Sequence, residues 1–340
     1  MSLKAHTSMT APRYDIVAIG NAIVDVLSRA GDDFITGRDL TKGSMRLINA
    51  EEAGELYAAM GPGIEMSGGS AANTLAGMAA LGAKCAFVGQ VADDQLGTVF
   101  RHDLTALGVD FTTPARSGEP ATARCLILVT PDGQRTMNTF LGAAQYLPEA
   151  ALDEELIRAG EILYLEGYLW NAPESRAAME GAIAIAKATG RKVAFTLSDT
   201  FVVAAHRDEF HAMMDAGRID ILFANEHELT ALADTGDDFE AAVAAIAPKV
   251  PLLIATRGAK GAIAMMDGER SAVAAEPVAQ VVDTTGAGDL FASGVLTGLS
   301  QGRSIGDALR MGAVCACAVI AQVGPRVQAD LKALVAEKLG

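Results

Sequence analysis

Short, continuous apolar runs alternate with alanine-rich stretches of helical length along almost the whole chain, and this alternation restricts the fold more than any other feature. The runs fall at 14–19, 85–89, 124–129, 162–165, 192–197, 219–224, 252–256 and 261–266. Most are apolar at consecutive positions, as expected of strands covered on both faces. Between them lie helical segments at 71–81, 96–107, 173–189 and 226–234. Strand followed by helix, repeated, predicts an α/β fold around a doubly wound, mostly parallel sheet.

Two segments break the rhythm. Residues 21–49 are mixed, with no good helix before Glu51, and residues 111–140 alternate polar and apolar side chains around a Pro131-Asp132-Gly133 turn. Both read as short antiparallel strands that pair into a small sheet beside the main domain. The predicted organisation is a core of 13–20, 50–111 and 141–338 with a β lid of 21–49 and 112–140. Residues 1–12 lack an apolar signal core and read as a disordered lead, with Met1–Leu3 an expression remnant.

Composition excludes several classes. The chain has 340 residues and a net charge of -15, with no basic face to meet a nucleic acid. It has no run of about 18 apolar residues, so no helical membrane span is expected. Cys85, Cys125, Cys315 and Cys317 form no CxxC pair and sit in apolar contexts, which reads as buried free thiols in a reducing cytoplasm. The five histidines are scattered. Neither GxxxxGK[ST] nor GxGxxG is present, which removes the Walker loop and the dinucleotide fingerprint of a dehydrogenase.

Three glycine-rich places remain. GGSAANTLAG (68–77) puts Gly68 and Gly69 before a helix, with Ser70 as the expected N-cap and Asn73 one turn on. It is either a tight turn before a core helix or a backbone surface open to a ligand. An amide at Asn73 inside an alanine-rich helix needs a partner, and a bound hydroxyl would serve. DTTGAGDLFASG (283–294) follows an apolar strand end expected at 280–282. It starts a helix at Ala287 with no bulky side chain over its free N–H groups. Asp289 is either a first-turn acid or a base facing a hydroxyl. ATRGAKGA (255–262) reads as a β-hairpin turn.

GNAIVD (20–25), GGSAANTLAGMAALG, NEHE (225–228) and DTTGAGDLFASG occur in the order found in the ribokinase-like, or PfkB, family of carbohydrate and nucleoside kinases, which the chain resembles from about Tyr14 onward. The resemblance implies transfer of the γ-phosphate of ATP to an alcohol beneath a β-sheet lid. It implies Asp289 as general base, with the backbone of Gly286, Ala287 and Gly288 holding the transferring phosphoryl group. It gives Asn225 and Glu228 a role near the phosphates and Mg²⁺, Glu228 acting through water. It gives Thr256, Gly258 and Gly261 the nucleotide loop, and Asp283 and Thr285 the carbonyls of a monovalent cation site, K⁺ in many members. Asn21, Asp25, Gly68, Gly69 and Asn73 match positions that hold the acceptor.

The acceptor is a nucleoside or a sugar. GNAIVD, GGSAAN, Arg135 before MNTFLGAA, and TLSDTF (196–201) are more similar to the adenosine kinases of the family than to its ribokinases. Arg135 resembles an arginine that meets phosphate. Phe34, Phe140, Tyr168 and Trp170 are the candidates for a flat nucleobase slot. Ribose, fructose or a related sugar is the other reading, and a non-catalytic binding homologue a third. The resemblance allows a monomer or a lid-mediated homodimer.

Overall fold

The computed structural model describes residues 11–340; residues 1–10 of the expected lead lie outside the described residues. Fourteen strands follow in chain order among them. β1 (Tyr14–Ile19) is followed by β2 (Ile23–Arg29), β3 (Met45–Leu47), β4 (Gly63–Gly68), β5 (Cys85–Val88), β6 (Val109–Phe111), β7 (Ala123–Val129) and β8 (Arg135–Phe140). Then come β9 (Gly160–Glu166), β10 (Lys192–Thr196), β11 (Ile221–Asn225), β12 (Leu252–Thr256), β13 (Ala262–Met266) and β14 (Glu269–Val273).

Nine strands form the main sheet in the order β14-β13-β12-β11-β10-β9-β1-β5-β6, parallel except at β12-β13 and β13-β14. The apolar runs are double-sided, and the two sides fill separate cores. Ile16, Ala18, Phe87, Tyr164 and Phe223 face one core, shared with the helices Ser70–Ala80, Gln95–Ala106, Ala287–Ser300 and Ile305–Ile320. Val17, Ile19, Val88, Leu165 and Phe195 face the other, closed by helices that include Pro173–Ala188 and Thr200–Asp215. Alternation of side chains along each strand divides a continuous apolar run between both layers, which is the doubly wound arrangement.

The second sheet has five strands in the order β3-β8-β7-β2-β4. The β7-β8 hairpin and β2-β4 are antiparallel, whereas β2-β7 and β3-β8 are parallel. The expectation of antiparallel strands alone is thereby corrected. β4 belongs to this sheet and not to the core expected to hold 50–111. It is an edge strand within GPGIEMSGG, and its glycines obscure the alternation of Ile64 and Met66 with Glu65 and Ser67. A further correction concerns 280–282, which forms no strand. Val281 and Val282 are exposed, and the amides of Val282 and Asp283 instead bond to the Ile320 carbonyl at the end of a helix.

Register determines what the small sheet presents. Asp25 pairs across strands with Met66 and Cys125, and Cys125 with Thr139. Ile23, Asp25 and Leu27 share a face with Met66, Cys125, Met137 and Thr139, because positions two apart point the same way. Val24 and Val26 point to the opposite side and join the core.

Candidate active site

Strand order reverses between β9 and β1: β5 and β6 extend the sheet one way, and β10 to β12 the other. In an open α/β sheet, ligands bind beyond the carboxyl ends of the strands at such a switch point. Asn21 follows β1 and Glu166 ends β9, so the reversal brings them together. The Asn21 backbone N–H and Nδ2 both donate to Glu166 Oε1, at 2.7 and 2.6 Å, and the Ala71 N–H donates to Oε2 at 2.8 Å. Glu166 is fully buried, and desolvation pushes its carboxyl up to about 7 against the pull of these donors. Sequence reasoning missed Glu166 because its only signature is one acid at the end of an apolar run.

The Ser70–Ala80 helix starts at the same place. Gly69 is its N-cap with φ of 91°, and a β-carbon there would lie 2.4 Å from the Asn21 carbonyl oxygen. Only glycine fits that conformation beside that carbonyl. Gly68 lies directly against the Asp25 carboxylate. Ser70 is not the cap expected of it. It is the first helical residue, and its Oγ donates to Asp289 Oδ1 at 2.7 Å. Asn73 Nδ2 donates to Asp289 Oδ2 at 2.9 Å, while Asn73 Oδ1 is buried with no partner among the described residues. Both carboxylate oxygens of Asp289 are therefore fixed by one neighbouring helix. Desolvation raises the Asp289 carboxyl above the usual range, opposed by Ser70, Asn73 and Arg326.

Asp289 sits in the first turn of the Ala287–Ser300 helix, whose cap Gly286 is left-handed at φ 77° against Pro325. The first-turn N–H groups of Gly288 and Asp289 take no backbone acceptor outside the helix, and the space above Gly288 is open. Free N–H groups at a helix start favour an anion.

Asp25 projects from β2, 7% exposed, and among the described residues no hydrogen-bond donor reaches its carboxylate. Burial pushes it up to about 7, with Arg326 and Arg135 lowering it and Asp289 raising it. Arg135, at the start of β8, pairs with Asp283 Oδ2 at 2.7 Å and approaches Thr285 Oγ1 at 3.4 Å. This buried ion pair spans the small sheet and the Asp283–Gly286 loop. The Asp283 side chain also accepts from the Thr285 and Gly324 amides.

The other half of the site lies at the ends of β11 and β12. Asn225 caps the Glu226–Ala233 helix in a reciprocal capping box with Glu228. The Asn225 amide and Nδ2 donate to Glu228 Oε2 and Oε1 at 2.9 and 2.6 Å. Glu228 is buried, which pushes its carboxyl up to about 7. Thr256 pairs with Asn225 across the sheet, and Gly258 and Gly261 bracket a one-turn 3₁₀ segment in the β12–β13 connection. Glu226 holds this turn through Lys260 and Arg257.

Tyr168 connects the halves. It follows β9, and its hydroxyl feels the fields of Asp199, Asp289, Glu228 and Glu166. Phe201, missed in the sequence, packs on it at 6.1 Å. The other aromatics expected in a base slot have partners of their own. Trp170 is buried against Phe195 and Phe210, with Nε1 bonded to Glu209. Phe140 shares the face of Arg124, opposite to that of Asp25, and Phe34 lies under Arg38.

The residues 45–331 match the family model described as pfkB family carbohydrate kinase. This chain belongs to the PfkB family. It is 45% identical, with a TM-score of 0.88, to the adenosine kinase from Sinorhizobium meliloti, covering 95% of this chain and 99% of that one. A structure described as a probable sugar kinase protein from Rhizobium etli CFN 42 matches at 45% identity and TM-score 0.89, covering 96% and 98%. The 5-dehydro-2-deoxygluconokinase of Shouchella clausii is 27% identical over 96% of this chain and 97% of that protein. The relatives are kinases, and the PfkB chain is a phosphotransferase with an alcohol acceptor. No described helix is long and apolar enough to cross a membrane.

The raised carboxyls give this PfkB kinase a distinctive pH response. Asp25, Glu166 and Glu228 hold protons up to about pH 7 when folded, whereas ordinary carboxyls release them near pH 4. Between those values the folded state binds more protons, so stability falls as pH rises. The ligand-free protein is expected to melt several degrees higher at pH 6 than at pH 8. An equal or lower Tm at pH 6 would contradict charge burial at these positions.

Proposed function

We propose that this PfkB kinase transfers the γ-phosphate of ATP to the 5′-hydroxyl of adenosine, with Asp289 as general base. The observation that carries the substrate is the face of the small sheet around Asp25. One buried, donor-less carboxylate is set among Ile23, Met66, Cys125 and Met137. A ribose diol supplies the two donors that Asp25 lacks, and a nucleobase covers the apolar flank. A free sugar presents hydroxyls on all sides, and that flank would leave several of them without partners. The Tyr168–Phe201 pair adds aromatic surface, and the 45% identical adenosine kinase supports the same reading.

The chemistry follows from the residues. The unpartnered Asn73 Oδ1 would accept from one hydroxyl of the acceptor, and the Asp289 carboxylate would face the reacting one. Asp289 takes the proton of the reacting hydroxyl as the oxygen bonds to the γ-phosphorus and the bond to the ADP oxygen breaks. The Ala287–Ser300 helix start offers N–H groups to the transferring phosphoryl oxygens, where most catalysis of this reaction lies. Arg135 would add positive charge from the small sheet, while the Thr256–Gly261 turn would receive the nucleotide. Both oxygens of Glu228 already accept from Asn225, which suits contact with a hydrated cation through its water better than direct ligation. Mg²⁺, when bound, supplies charge neutralisation between the phosphates. The Asp283 and Thr285 carbonyls are the candidate ligands of a monovalent cation.

A panel of nucleosides and sugars tests the acceptor. Adenosine is expected to give the highest kcat/KM, and a sugar ahead of it by about tenfold, or 1.4 kcal/mol, would assign the protein to the sugar kinases instead.

A further inference from the structure

A single arginine near the C-terminus, absent from every motif above, ties the two glycine-rich loops together. Arg326 Nη2 donates to the Ser67 carbonyl and Ser67 Oγ at 2.7 and 2.8 Å, and its Nη1 to the Ala72 carbonyl at 3.1 Å. Ser67 precedes the Gly68–Gly69 turn and Ala72 follows it, so one planar fork grips the turn from both sides. Ser67 is itself anchored, its N–H and Oγ donating to Asp103 Oδ2 at 2.7 and 2.6 Å.

The two residues before Arg326 touch the other loop. The Gly324 amide donates to Asp283 Oδ2 at 2.8 Å, and Pro325 abuts Gly286. Arg135 reaches the same Asp283 oxygen from the small sheet. Three consecutive residues thus join the acceptor-side turn to the anion-binding helix start. Asp289 gains both its hydrogen bonds from Ser70 and Asn73, on the helix whose first turn Arg326 holds.

We propose that Arg326 is a positioning residue for phosphoryl transfer: it fixes the Gly68–Gly69 turn and the start of the Ser70–Ala80 helix, and through them the Asp289 carboxylate. The inference rests on Asp289 acting as the base. Burial of the guanidinium leaves its Nε without a partner, a cost that an apolar side chain in the same place would not carry. The charge has its own effect. Asp25, Asp103 and Asp289 lie in its field, and it lowers the carboxyls of Asp25 and Asp289. Ser70 and Asn73 also act on Asp289, and Arg135 and Asp289 on Asp25; the charge of Asp289 reaches Glu166, Tyr164 and Tyr168 as well.

The test compares wild type with Arg326→Met, Arg326→Lys and Ser67→Ala, all checked for folding by circular dichroism, with Asp289→Asn in parallel. Arg326→Met is expected to lower kcat by about 10²-fold, as a displacement on the order of 1 Å does at a reacting group, with the KM for ATP within about twofold. Its acid limb in kcat/KM should move to higher pH, because the cation that holds the carboxyls down is gone. Arg326→Lys should restore the limb but only part of kcat, since a point charge cannot grip both carbonyls. Ser67→Ala should lower kcat and leave the limb in place. Wild-type kcat and limb in Arg326→Met, or equal behaviour of the Met and Lys variants, would overturn the proposal. If Arg326→Met does not fold, unchanged kcat in both Arg326→Lys and Ser67→Ala overturns it. An active Asp289→Asn removes the base assignment itself, whereas an inactive one beside an unaltered Arg326→Met removes only the role of Arg326.

Discussion

Asp289→Asn is expected to lower kcat by about 10²- to 10⁴-fold, the usual contribution of a positioned base, while ATP still binds with near-normal affinity. The geometry allows a clean reading. Ser70 Oγ can still donate to Asn Oδ1, and rotation of the Asn73 amide offers its orphaned Oδ1 to the new NH₂ group. The substitution also removes a buried charge, so the Tm should hold or rise. What is lost is the lone pair that receives the hydroxyl proton. Steady-state kinetics with saturating ATP, together with a nucleotide-binding isotherm, separate the two effects. A kcat within tenfold of wild type would remove Asp289 as base and leave it a first-turn acid.

Asp25→Asn is the second large effect, and it falls on the acceptor rather than on the nucleotide. Asp25 is buried without a protein donor and is held near pH 7 by the balance of burial against Arg326 and Arg135. A carboxylate kept in that condition suits a partner that brings two donors, as the diol of a ribose does. Hydrogen bonds to a charged group contribute about 1.5–3 kcal/mol each; the Asn side chain keeps one acceptor oxygen, so loss of the other bond should lower kcat/KM for the acceptor by about 10- to 100-fold. The KM for ATP should be unchanged. At pH 8, where the wild-type carboxylate is mostly charged, the variant should melt higher. Gain of stability with loss of activity is the signature of a polar group retained for function. An acceptor KM equal to that of wild type would show that Asp25 does not touch the substrate.

Much of the molecule could be read from the chain because its signals are local. A run such as YDIVAI is apolar at successive positions, and only a strand buried on both faces needs that. Asn225 and Glu228 lie three residues apart at a helix start, so their capping box follows from spacing. DTTGAGD opens a helix with no side chain over its N–H groups, and that property is also contained within seven residues. The errors have a common cause. Ser70 has the right type and place for an N-cap, but Asp289 lies 219 residues away and takes its hydroxyl. Trp170 and Phe140 are flat and apolar, but whether such a ring lines a pocket or fills a core depends on the partner across the sheet or helix layer. β4 was hidden because an edge strand is only half buried and its pattern is weak.

Sequence by itself determined the layer architecture and most of the helix starts, since each follows from a period or from spacing within a turn or two. Only the tertiary structure decided which carboxylates are buried together and what holds them. Glu166 meets Asn21 because strand order reverses between β9 and β1, Arg135 meets Asp283 because the small sheet folds over the core, and Arg326 reaches Ser67 across 259 residues. The cost of burying a charge depends on the groups that surround it in space, and chain spacing carries no record of those.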